Sequence, residues 1–194
     1  MKENKIIAGL FGAILIVFLW SCAGSNYKQM AISNPRKLIS VEDSLLQTGP
    51  TTQIISSVAL AHEVLGDSAM RSGDYEKAKK HFTKALKFAP NDTLYMYNQL
   101  MAEGHLLQKS GKKNKLWSSI QVYNKAATTF KKSGAPYYYI GKSYHKLGDK
   151  DFDLIIESYD KALALELSTE LRRIVNQARE DVIMREKNLR EFWK

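Results

Sequence analysis

One cysteine, Cys22, stands in 194 residues, which excludes a disulfide framework and any zinc site built on several thiolates. Proline (4) and glycine (11) are too few for a collagen-like or low-complexity chain, and their scarcity leaves room for long uninterrupted helices. Asp and Glu are absent between Gly104 and Gly148, where nine lysines stand. Catalytic patterns are absent too. There is no HExxH or CxxC, no glycine-rich phosphate loop and no nucleophile spaced to a base, so no enzymatic activity and no cofactor are expected.

What is present begins with a basic and then apolar N-terminus. Lys2 and Lys5 precede an unbroken apolar run from Ile6 to Trp20, and Ser21, Cys22, Ala23 and Gly24 follow. This is the n-region, h-region and small-residue exit of a secretory signal. As a helix the run rises roughly 22 Å, short of the roughly 30 Å hydrocarbon thickness, which favours cleavage over a permanent span. The exit resembles a bacterial lipoprotein box, with Leu19 and Ser21 in the expected places and Trp20 departing from the usual small or aliphatic middle residue. That resemblance implies a signal peptide over 1–21, lipidation at Cys22 and a polar lipid-to-domain linker over 22–33. An uncleaved anchor reaching Gly24 is the alternative, and both readings tether the chain to a membrane. Ala23 in place of Asp after the cysteine is what outer-membrane lipoproteins show in Gram-negative cells. The implied location is therefore the bacterial cell envelope, at the periplasmic face of the outer membrane.

Residues 34–58 read as a helical extension. Asn34 caps a helix opened by Pro35, with Leu38, Val41, Leu45 and Leu46 as its apolar face, and Gly49 and Pro50 stop it. Thr51 and Thr52 open a second, longer helix. Residues 59–92 then resemble a tetratricopeptide repeat along its whole length: Leu65 and Gly66, the turn Gly73, Asp74 and Tyr75, and Ala78, Phe82, Ala85 and Pro90 fill its marked positions. A second repeat spans 97–133, where Gly104 and Gly111 keep the same spacing and Tyr123 parallels Phe82. Matching both of its ends requires three extra residues, expected as a long turn within 112–115. A third spans 134–167, on Gly141, Tyr159 and Ala162, with Ile155 at the small-residue place. Ser168 or Thr169 then opens a capping helix over 168–194, with Leu171, Val175, Ala178, Val182, Leu189 and Phe192 on one stripe. The expected fold is all-α, a tetratricopeptide-type helical solenoid of about three helix-turn-helix repeats, an N-terminal extension and a long C-terminal cap.

Solenoids of this kind act as binding scaffolds, with first helices lining a concave wall. On this register the candidate groove residues are Glu63 and Asp67 in the first repeat, His105 and Lys109 in the second, and Tyr138, Lys142, His145 and Lys146 in the third. The tetratricopeptide proteins that clamp chaperone C-termini place Lys and Asn where this chain has Glu63 and Asp67, which disfavours that ligand class. A protein segment of mixed charge, acidic toward the third repeat, fits better. Lys112, Lys113 and Lys115 form a separate basic surface, suited to anionic lipid or polymer. Export argues against nucleic acid as the partner of these lysines and their interleaved tyrosines. His105 and His145 are spaced to face one another on adjacent first helices, but a stable metal site takes three or more ligands, and no metal is expected. The net charge of +9 is thus local: the acid-free stretch alone carries +9, and the remainder sums to zero.

Overall fold

The computed structural model describes residues 26–148 and 150–193. Within them the chain is a succession of helices: α1 over 26–33, α2 Pro35–Ser40, α3 Glu42–Gln47, α4 Thr52–Arg71, α5 Tyr75–Phe88, α6 Thr93–Lys109, α7 Lys113–Thr129, α8 Ala135–Leu147, α9 Phe152–Leu163 and α10 Thr169–Phe192. Capping side chains set several of the starts. Thr51, Asp74, Asp92 and Ser168 each accept a hydrogen bond from a backbone N–H of the first turn that follows, at 2.9–3.3 Å. From α4 onward each helix packs chiefly on its sequence neighbours, as in a tetratricopeptide-type solenoid.

One packing device recurs in every repeat. Gly66, Gly104 and Gly141 sit on the first helices, and the rings of Phe82, Tyr123 and Tyr159 on the second helices press directly onto them. A β-carbon on Gly66 would stand 2.6 Å from the Phe82 ring, and one on Gly141 would stand 2.5 Å from Tyr159. Only glycine admits the ring there. Three residues past each ring Ala85, Ala126 and Ala162 are fully buried, completing a small contact surface between layers.

Four expectations change. Residues 26–33, read as part of the linker over 22–33, are helical, and Ala31 is buried with Leu38 and Ala61. The expected single helix after Asn34 divides at Val41, which is 41% exposed, while Glu42 is buried in its place. The long turn of the second repeat does not occur. Residues 110–112 match residues 72–74 in length, and α7 instead begins three residues earlier relative to its ring, because Lys113 lies ten residues before Tyr123 and Tyr75 only seven before Phe82. Extending a helix satisfies the added backbone groups internally, which a longer loop would leave to water. Finally, Phe192 stands 77% exposed beside Trp193 at 81%, so the buried stripe of α10 centres on Val175 and Val182. The helix is about 36 Å long against about 18 Å for α9, its packing partner. The signal segment and Cys22 lie outside the described residues.

Candidate protein-binding groove

The first helices α4, α6 and α8 carry corresponding side chains at fixed offsets from Gly66, Gly104 and Gly141. One residue beyond each glycine stand Asp67, His105 and Lys142, and five beyond stand Arg71, Lys109 and Lys146. The first series changes sign along the stack, from Asp67 through His105 to Lys142, and the second is basic throughout. At the first-repeat end, burial and the neighbouring charges of Asp67 and Asp92 push the Glu63 carboxyl above the usual carboxylate range, although Tyr95 donates a hydrogen bond to it. Burial also raises Asp67, against the pull of Arg71.

At the other end the side chains converge on one open cavity of about 350 Å³ between α6 and α8, flanked by the turn into α5. Lys109, Lys142 and Lys146 line it together with Gln108, Tyr75 and Tyr139. The Lys109 Nζ donates to the Gly73 carbonyl at 3.2 Å and lies 5.7 Å from the Tyr75 ring centroid. The Lys142 Nζ lies 5.4 Å from the Tyr138 ring and 5.7 Å from that of Tyr139. These cation–π contacts hold the ammonium groups in place without neutralising them. Burial, and then the charge on Lys146, lower the pKa of Lys142. Gln108 locks the two walls by donating through Nε2 to the Tyr139 carbonyl at 3.0 Å and to Ser143 Oγ at 2.7 Å.

Of the candidate groove residues, the cavity thus gathers His105, Lys109, Lys142 and Lys146, and Glu63 and Asp67 stand apart from it on α4. Tyr138 is buried among Ile155, Tyr159 and Val175, so it supports the wall more than it faces a ligand. His145 is half-buried and does not line the cavity. His105 is 8% exposed, its Nδ1 lies 2.9 Å from the Tyr123 hydroxyl, and burial, with Lys142 nearby, pushes its pKa down to about 4. It is a neutral wall residue at neutral pH. His105 lines the cavity and His145 does not, and among the described residues no group of three or more His, Cys, Asp or Glu is placed to hold a metal. Lys112, Lys113 and Lys115 are exposed at the start of α7, outside the cavity.

Tyr139 and Tyr75 line the cavity without being among the candidate groove residues, Tyr75 having a place in the sequence pattern only as part of the turn. The first was legible, because Lys142 follows Tyr138 by four and Tyr139 by three, the spacings that bring helical side chains together. Tyr75 was not, since its approach to Lys109 depends on how α5 packs against α6.

Residues 59–92 match the family model of the tetratricopeptide repeat. The chain carries a tetratricopeptide repeat. Its described fold is a solenoid of tetratricopeptide-like helical repeats, and proteins of that family are generally interaction modules without catalytic activity. Among solved structures it is similar to the first tetratricopeptide domain of Spaghetti (RPAP3), bound there to the HSP90 peptide SRMEEVD. That likeness has 21% identity and a TM-score of 0.42, and it covers 63% of this chain and 94% of the other. No curated protein sequence matches the chain.

Proposed function

We propose that this is a membrane-tethered tetratricopeptide protein of the bacterial cell envelope, which uses the wall of α4, α6 and α8 to hold a segment of another envelope protein as an assembly or adaptor factor. The observation that carries the reading is the gradient along that wall, from Glu63 and Asp67, which outnumber Arg71 in the first repeat, to Lys109, Lys142 and Lys146 in the later two. A wall graded in this way selects a segment of mixed charge and fixes its direction, since a reversed segment sets like charges against each other. The tether rests on the sequence: Lys2 and Lys5, the apolar run, and Cys22 immediately after it.

Two experiments address the two halves. Fractionation of a Cys22→Ser variant is expected to yield an unlipidated protein; a lipidated, membrane-held product from that variant overturns the anchor. Photocrosslinking in native envelopes from positions on α4 and α8 is expected to trap one recurrent partner, lost on joint Lys142→Glu and Lys146→Glu replacement. Retention of every partner overturns the groove.

A second reading has its own observation. Lys112, Lys113, Lys115, Lys125, Lys131 and Lys132 are exposed and lie outside the cavity, at the N-cap of α7, along it and on the segment that follows it. Such a band suits anionic lipid or polymer at about 1 kcal/mol per lysine near a charged surface. Vesicle binding that vanishes at high salt and survives the α8 replacements favours it.

A further inference from the structure

The cavity between α6 and α8 differs from the rest of the surface in how its cations are held. Elsewhere in the described chain several lysines on second helices pair with glutamates, among them Lys79 with Glu103 at 3.3 Å, Lys84 with Glu42 at 3.8 Å and Lys161 with Glu157 at 2.7 Å, and those of α7 are solvent-exposed. Among the described residues no carboxylate lies within ion-pair distance of Lys109, Lys142 or Lys146, and none lines the cavity. Two of these three ammonium groups are nonetheless positioned, Lys109 by the Gly73 carbonyl and the Tyr75 ring, and Lys142 by Tyr138 and Tyr139. Gathering three unneutralised cations around one concavity is electrostatically unfavourable in the empty protein. Preorganised in this way, they meet an anion without the ordering cost that free lysine side chains bear.

We infer that this cavity is a discrete subsite for two neighbouring acidic side chains, Asp or Glu, within the bound segment. The inference rests on the groove reading and specifies its chemistry at one place. A single carboxylate leaves two of the three cations uncompensated, whereas two adjacent carboxylates answer the two positioned lysines, Lys109 and Lys142, leave only the exposed Lys146 to solvent, and suit an open cavity of about 350 Å³. The lysines act as point charges and impose no planar geometry, so the site reads charge density more than the shape of a particular acid. The aromatic walls exclude water from one side of each contact, which strengthens it relative to a fully solvated lysine.

The test uses the full chain in neutral detergent and hexaglutamate as the probe, followed by the chemical shifts of the Lys109, Lys142 and Tyr139 groups. Saturable binding is expected, weakened at least tenfold by joint Lys142→Gln and Lys146→Gln replacement and less than twofold by joint Lys112→Gln, Lys113→Gln and Lys115→Gln replacement. Equal loss from both sets, or no saturable binding, overturns the subsite. Displacement of hexaglutamate by inorganic phosphate at equal or lower concentration also overturns it, in favour of a phosphate site. Envelope crosslinks from α4 that persist when hexaglutamate fails to bind leave the groove standing and remove only the subsite. Loss of both removes the groove as well.

Discussion

The first repeat and the junction of the second and third treat charge in opposite ways. Against the first repeat, Glu42 of α3 is buried, its Oε2 lies 3.0 Å from His62 Nε2, and Lys84 reaches its other oxygen. His62 Nδ1 in turn lies 3.0 Å from His81 Nδ1. These polar groups answer one another within the chain and tie α3 to the first repeat. At the later junction the lysines find aromatic rings and a backbone carbonyl but no acid among the described residues. A charge satisfied inside the chain fastens the fold, and a charge held in place without a counter-charge is, on the function proposed above, the one available to a partner.

Several substitutions break or sharpen this contrast. The largest effect is expected where the two regions share one device, the ring on the glycine. Gly104→Val sets a branched side chain against the Tyr123 ring and should cost about 3 kcal/mol by overpacking, read as a lower midpoint in urea. Glu42→Ala comes next, since it leaves His62 and Lys84 without their acceptor. It should cost about 2 kcal/mol and abolish hydrogen-exchange protection in α2 and α3 before that of α8.

Acidification should also act on the first repeat and on the wall. Burial holds His62 below its ordinary pKa and, with the charge of His62, brings His81 to about 4; His105 is likewise brought to about 4 by burial. A histidine whose folded pKa is lowered takes up its proton more readily when unfolded. Its stabilising contribution is therefore complete above about 6.5 and is lost as the pH falls toward about 4. The urea midpoint should drop through that window, and a His105→Phe variant should drop less steeply. A midpoint flat from pH 7 to 4 contradicts the buried neutral histidines.

The smallest effect sharpens the contrast most. Lys142→Met should raise stability slightly, by about 0.5 kcal/mol, because it removes a half-buried, unpaired cation, while weakening partner binding. Lys80→Ala, whose pairing with Glu76 is exposed, should change stability by less than about 0.5 kcal/mol and binding not at all. Equal behaviour of these two lysines would erase the distinction between the regions.

Much of the fold was legible because each repeat announces itself twice, by a small residue on one helix and a ring on the next. Gly104 with Tyr123 and Gly141 with Tyr159 kept that pairing despite different spacing, since a ring and a bare backbone must meet wherever the helices cross. The three added residues of the second repeat were misplaced because sequence alignment cannot tell a longer loop from a longer helix. The N-terminal segment misled for a related reason. Tyr27, Met30 and Ala31 form a short apolar edge whose value appears only when α4 stands beside it. The groove was legible as positions and not as a site, since helical offsets say which residues share a face and leave open what that face meets.

The sequence by itself determined the helical repeats, their register and the confinement of net positive charge to one sector, because these follow from local periodicity and composition. Tertiary structure decided which charges are spent within the chain. Glu42 stands 20 residues before His62, and Lys109 stands 36 residues after Gly73, yet each pair is in contact. Interaction energy depends on distance in space, and only the packing of α3 on α4 and of α5 on α6 sets it.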